Sequence, residues 1–312
     1  MLNKHPLKPN NTPKNNIPLR ANLIKNYQVL NTTSTTTTQP EEIKHTEPEI
    51  VIEPLNPQIP YEYLNDIYHS LIEEEKNIPI TNSDYIEFQT DINEKMRGIL
   101  IDWLIEVHNK FGLKEETIFL TVYLIDQYLS KEFTPRSRLQ LLGVASLMIA
   151  CKQEEILVPC VSDLVFVTDN AYTKTEVLEM EKLILKSLDF NIVSPSSLRF
   201  FEIISHSFKF SDQMIAFGKY ILVLMSLNYK MLRYIPSVRA CTTAYIVMKY
   251  YKYTNYTELY ERWNLNSDNV VLKECARETC HMMDNLGKLY SKGVNKMFAS
   301  DKYYGVSNLK LS

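Results

Sequence analysis

Arg97 is the residue whose type and position first call for a chemical explanation. It lies one turn from Ile101 and Ile105 in the stretch MRGILIDWLIEV, Met96 to Val107. Read as a helix, that stretch spreads Met96, Ile99, Leu100, Ile101, Trp103, Leu104, Ile105 and Val107 over nearly its whole circumference, which is the pattern of a central helix. A guanidinium inside such an apolar arc is costly alone, so Arg97 requires a buried acidic partner. Lys152 and Glu181 stand at corresponding ends of two predicted helices and, from their residue types alone, read as a surface ion pair. His5, His45, His69, His108, His206 and His281 are scattered, neither GxSxG nor HExxH occurs, and no Ser, His and Asp grouping follows from spacing. The expectation is a protein with no catalytic residues and no enzymatic activity of its own. Cys151, Cys160, Cys241, Cys275 and Cys280 are odd in number, lack CxxC spacing and mostly lie in apolar runs, which predicts free thiols in a reducing compartment. Cys275, Cys280 and His281 are close in sequence but have no further ligands at metal spacing. They read as part of a helical core, with neither metal nor cofactor.

The elements that position these residues follow from composition. The chain has 312 residues, enough for more than one packing unit, and its apolar share of 45% is ordinary for a globular protein. A net charge of −3 gives no electrostatic reason to bind nucleic acid. Only 7 glycines argue against phosphate-cradling loops and Gly-punctuated sheets, and so for helices. Lys4, His5, Pro6 and Lys8 interrupt any signal-peptide core, and the uncharged run Leu139 to Cys151 is too short to span a bilayer. A soluble intracellular protein with no membrane partner is expected.

Residues 1–57, rich in Asn, Pro and Thr, predict a disordered regulatory tail. Helical spacing of Tyr63, Leu64, Ile67, Tyr68, Leu71 and Ile72 predicts a helix over 61–75, with Glu73, Glu74 and Glu75 as a solvated face. Asp91 or Asn93 can cap the helix that carries Arg97. Further helices are predicted over 115–129, 138–152, 161–167 and 175–188, the second of these the innermost of the first half because of Gly143, Ala145, Ser146 and Ala150. Pro195 opens a second set. The stretch from Pro236 to Ile246 repeats, about 100 residues on, the small-residue apolar rod between Pro135 and Ala150, which implies two similar helical units.

Several of these stretches resemble the cyclin family, of the mitotic A/B type. Met96-Arg97-Gly98-Ile99-Leu100 with Asp102-Trp103-Leu104 is similar to the family's MRAIL-DWL pattern, with Gly98 in place of alanine. Asp126-Gln127-Tyr128-Leu129-Ser130 resembles DRFLS, Lys152-Gln153-Glu154-Glu155-Ile156 resembles K-(F/Y)-E-E-(I/M), and residues 168–173 match the B-type loop. The closing Lys302 to Val306 resembles the A-type tail. The implied fold is all-α: two tandem five-helix cyclin folds, 58–194 with a preceding helix and 195–312, behind the tail.

The resemblance also implies roles. Arg97 and Asp126 would form a buried structural ion pair bracing two helices. Lys152, Glu181 and Glu154, with Phe190, Ile192, Tyr63 and Ile67, would bind a cyclin-dependent kinase. Gln153 and Ser70 stand where the family has aromatics, which removes apolar contacts from that face. Met96, Ile99, Leu100, Trp103, Leu139 and Gln140 match a patch that docks Arg-x-Leu segments of substrates and inhibitors, with Glu106 meeting the arginine; read without the resemblance, the apolar members belong in the core. Arg20 and Leu23 form an RxxL match to the destruction box through which a ubiquitin ligase reads mitotic cyclins. The function implied is a non-catalytic regulatory subunit that activates a kinase at the G2/M transition, in nucleus and cytoplasm. The alternative is a cyclin-fold adaptor or transcription-related protein that activates no kinase.

Overall fold

The computed structural model describes residues 60–78, 83–253, 270–286 and 291–309, and no strand occurs among them. The expected tail and its RxxL segment, Arg20 and Leu23 included, lie outside the described residues.

A short 3-10 turn, Tyr61–Tyr63, leads into α1, Leu64–Asn77. The helix carrying Arg97 is α2, Glu94–Phe111. Asn93 is its cap, its side chain accepting from Met96 N at 3.0 Å. Asp91, the other candidate, instead receives Arg136 N and Nε at 2.8 and 2.9 Å. Gly112 closes α2 at φ +64°, a left-handed conformation that glycine adopts without penalty. Then come α3, Glu115–Lys131, α4, Leu139–Glu154, and α5, Val161–Val167. In α6, Lys174–Ser187, a reciprocal capping box between Thr173 and Glu176 starts the helix one residue before the predicted Thr175. The second half holds α7, Ser197–Ser207, α8, Asp212–Leu227, α9, Pro236–Tyr250, α10, Val270–Asp284, and α11, Lys292–Phe298. Pro236 opens α9, where its missing N–H loses nothing.

In the first half α4 is innermost: from Leu141 to Cys151 every residue is buried. It packs against α2, α3 and α6. Small residues permit this, since a Cβ on Gly143 would lie 2.9 Å from Leu100 Cδ1. The rod of the second half, α9, likewise lies against α7, α8 and α10. The helix α2 also contacts α8 and α11, and α1 packs on α7.

One charge run departs from expectation. Glu73 is solvated and pairs with Lys76 at 2.7 Å, but Glu75 is half-buried. Its carboxylate accepts from Ser237 N at 2.8 Å and from Ser237 Oγ at 2.5 Å, at the first turn of α9. The exposed N–H groups of that turn are what draw an acid inward. Burial raises the Glu75 pKa against the lowering effect of the two Ser237 bonds.

Candidate functional site

Arg97 meets its acid in α3. Its Nε and Nη2 donate to Asp126 Oδ1 and Oδ2, both at 2.7 Å, a bidentate pair with side chains 1% and 2% exposed. Tyr85 Oη adds a third donor to Asp126 at 2.7 Å. The remaining guanidinium nitrogen, Nη1, donates to Ser226 O at 3.0 Å, at the end of α8. So Arg97 joins α2 not only to α3 but to the second half. Burial works against its charge, yet Asp126 and Tyr85 hold its proton above the ordinary arginine value.

Packing of α4 on α6 brings Lys152, in the last turn of α4, onto Glu181, which lies in the middle of α6 and not at its end as expected, Nζ to Oε1 at 2.5 Å on the surface. The lysine is half exposed; the glutamate is 13% exposed. These helices and the segments next to them carry large apolar side chains that are exposed among the described residues: Ile156 and Leu157 after α4, Phe166 on α5, and Leu178 and Leu183 on α6. Phe190, beyond α6, is 70% exposed and sits at φ +59°. A bulky residue in the left-handed region costs on the order of 1–3 kcal/mol, a strain that clusters at binding sites. Ile192 and Ile67 are half-buried against the core, while Tyr63 is exposed.

Glu154 is half-buried and lines a cleft of about 610 Å³ together with Glu115, Glu116 and Glu202. Burial, then the neighbouring Glu202 and Glu154, push the Glu116 carboxyl up to about 7 against a hydrogen bond from Ser196. Glu155, its neighbour in the KxEE stretch, is committed elsewhere. It accepts from Lys114 N at 2.7 Å and Thr117 Oγ1 at 2.5 Å, and so caps α3.

The expected docking patch is only partly open. Met96, Ile99, Trp103 and Glu106, spaced three, four and three residues apart, form a half-buried stripe on α2 beside Gln140 of α4. Leu100 and Leu139 are not part of it. Each is 6% exposed, Leu100 because it is packed into the space above Gly143 and Leu139 because it enters the core where α4 begins.

Two positioning residues were missed. Asp102 on α2 accepts from Gly293 N and Val294 N at 3.0 and 3.1 Å, holding the start of α11. A Cβ on Gly293 would lie 2.6 Å from Asp102 O, so this close approach requires glycine. The argument applied to Arg97, a charge within an apolar helix, would have found Asp102. Glu75 carried no such signal. No group of three His, Cys, Asp or Glu suited to a metal occurs among the described residues. All five cysteines are free, with Cys275 buried and Cys280 exposed, so with exposed His281 they do not converge.

Comparison with known proteins bears on this arrangement. Residues 66–193 match the family model "Cyclin, N-terminal domain" and residues 195–312 match "Cyclin, C-terminal domain". Over 254 residues the chain is 40% identical to cyclin-B2-1 of Oryza sativa subsp. japonica, covering 80% of this chain and 59% of that protein. It is 38% identical to the G2/mitotic-specific cyclin-B of Spisula solidissima, with 81% and 59% covered. The chain thus spans less than two thirds of the length of these relatives. With the G2/mitotic-specific cyclin-2 of Medicago sativa it shares 38% identity over 78% of its own length and 74% of that protein's. Among solved structures, a viral cyclin from herpesvirus saimiri superposes with TM-score 0.62 at 20% identity, covering 70% of this chain and 97% of the other. A chain of the yeast RNA polymerase II CTD kinase complex CTDK-1 does so with TM-score 0.54 at 12% identity, covering 78% and 84%; both likenesses concern the fold. With both halves matched in sequence and relatives named as B-type or G2/mitotic-specific cyclins, this chain belongs to the cyclin family.

Proposed function

We propose that this chain is the non-catalytic regulatory subunit of a cyclin-dependent serine/threonine kinase and activates it at the G2/M transition. The observation that carries this reading is the surface pair Lys152–Glu181 on helices that, with the segments next to them, carry exposed apolar side chains. A kinase αC helix presents unpaired N–H and C=O groups at its ends, and an ammonium beside a carboxylate can satisfy both. Apolar contact from Phe190, Ile192, Tyr63 and Ile67, with Glu154 at the edge, would hold the helix there. That fixes the αC glutamate on the ATP-orienting lysine and opens the activation loop. The half-buried stripe Met96, Ile99, Trp103 and Glu106 would add docking of Arg-x-Leu segments of substrates and inhibitors, raising their local concentration.

The tail would be read by a ubiquitin ligase through Arg20 and Leu23, and the protein would act in nucleus and cytoplasm. Changing both tail residues to Ala should lengthen its life at mitotic exit; unchanged turnover counts against that role. A net charge of −3 supports no nucleic-acid role, and no helix among the described residues is long and apolar enough to cross a membrane.

Affinity capture of the full chain should bring down protein-kinase activity, and Lys152→Ala with Glu181→Ala should remove most of it. Wild-type protein that carries no kinase activity would favour the adaptor reading.

A further inference from the structure

Between α3, the start of α7 and the start of α9 lies a cavity of about 340 Å³. Leu120, Val122, Leu232 and Ile235 give it an apolar wall, Glu75, Asp126, Arg233 and several serines line the rest, and Arg239 enters it from the first turn of α9. The Arg239 Nε is buried with no hydrogen-bond partner, and no ion pair to Arg239 occurs among the described residues. Its charged neighbours are already engaged. Asp126 is taken by Arg97, Glu75 by Ser237, and Arg233 by Glu278. An arginine does not shed its charge in a protein, so this half-buried guanidinium, with no ion pair among the described residues, would be stabilised by an anion. Ser197 at the start of α7 also lines the space, so one helix N-terminus adds positive potential there, while the start of α9 is already met by Glu75.

We propose that this cavity, at the junction of the two halves, binds a small monoanionic carboxylate carried on an apolar body, with Arg239 as its counter-ion. The guanidinium fork matches a carboxylate in plane and spacing. Because the carboxylates of Glu75 and Asp126 also line the cavity, a monoanion is repelled less than a phosphate dianion, and the apolar side chains of the lining suit an apolar remainder. The volume and the position between two packed halves are those of small-molecule sites. The carboxylate is either a free acid or an acidic side chain of a peptide next to an apolar one. The site shares no residue with the Lys152–Glu181 face and does not depend on its role.

The full chain is titrated calorimetrically with 3-phenylpropionate, with the neutral 3-phenylpropionamide and with inorganic phosphate. Phenylpropionate should bind in the low-millimolar range or tighter, and the amide and phosphate at least about tenfold more weakly, a factor that corresponds to losing one charge-assisted contact. Arg239→Leu should lose binding by a similar factor. It should remain folded, because a half-buried charge with no ion pair among the described residues is removed, and Arg239→Lys should restore part of the affinity. Displacement of phenylpropionate by acetyl-Phe-Asp-amide would assign the site to a peptide side chain, and binding without such displacement to a free acid. Equal binding of the amide, full binding by Arg239→Leu, phosphate binding tighter than phenylpropionate, or no wild-type binding each overturns the proposal. Binding that appears only in Glu75→Gln overturns it too, since Glu75 would then be the occupant of Arg239 in solution.

Discussion

Single charged residues carry much of what holds this protein together, and each is set by its surroundings. Asp126 and Arg97 satisfy one another so completely that removing either would leave a buried charge, at a cost of about 3–5 kcal/mol. Glu116 is the opposite case, an acid in a cleft where burial and the neighbouring Glu202 and Glu154 disfavour its charge. Its folded-state pKa of about 7 lies above the ordinary 4.5, so the folded chain holds a proton that the unfolded chain has lost. Stability from this group is therefore full below about pH 4.5 and declines as pH rises toward 7. Glu116→Gln should raise stability at pH 8 by at most about 3 kcal/mol, the limit set by about 1.4 kcal/mol per pKa unit and lowered by solvent screening at this half-buried site, and hardly at all at pH 4.5. Urea titrations at the two values check this, and an equal effect at both would contradict it.

At the scale of elements, the helices begin and end where short-range chemistry says. Asn93 starts α2, Gly112 ends it, and Thr173 with Glu176 starts α6. Two other helix starts are completed from a distance, α3 by Glu155 and α9 by Glu75. The helix α2 has one local weakness, Gly98, which costs it about 1 kcal/mol relative to alanine. A Cβ there would meet Leu227 O at 3.6 Å, an ordinary contact. Gly98→Ala should accordingly stabilise the protein by about 1 kcal/mol, read as a higher urea midpoint at constant slope. A lower midpoint would mean that α2 and α8 are packed too closely to admit a methyl group.

Across the whole molecule, the two cyclin folds are tied to each other by α2. Arg97 reaches the end of α8 and Asp102 holds the start of α11, while α1 is bound to the second half through Glu75. Residues 55–312 accordingly form one compact unit. This construction buries most of the middle of α2 and leaves the stripe from Met96 to Glu106 half-buried there. Trp103→Ala should weaken binding of an Arg-x-Leu peptide at least about tenfold, on the scale of a hot-spot truncation, while kinase capture is kept. Loss of both would make Trp103 a core residue.

The sequence by itself determined the helical class, the centrality of α2 and α4, the need of Arg97 for an acid, and the family, because these follow from patterns within single helices or from long motifs. Tertiary structure decided the rest. It sent Leu100 and Leu139 into the core, turned Glu75 from an expected solvated charge into a helix cap, and bound Glu155 to the start of α3. It also joined Asp102 to α11 and left Arg239 beside a cavity. Each of these pairs a residue with a partner tens to hundreds of positions away. Periodicity within one helix says which side is apolar, but which neighbour covers that side, and how completely, is settled only when the helices pack.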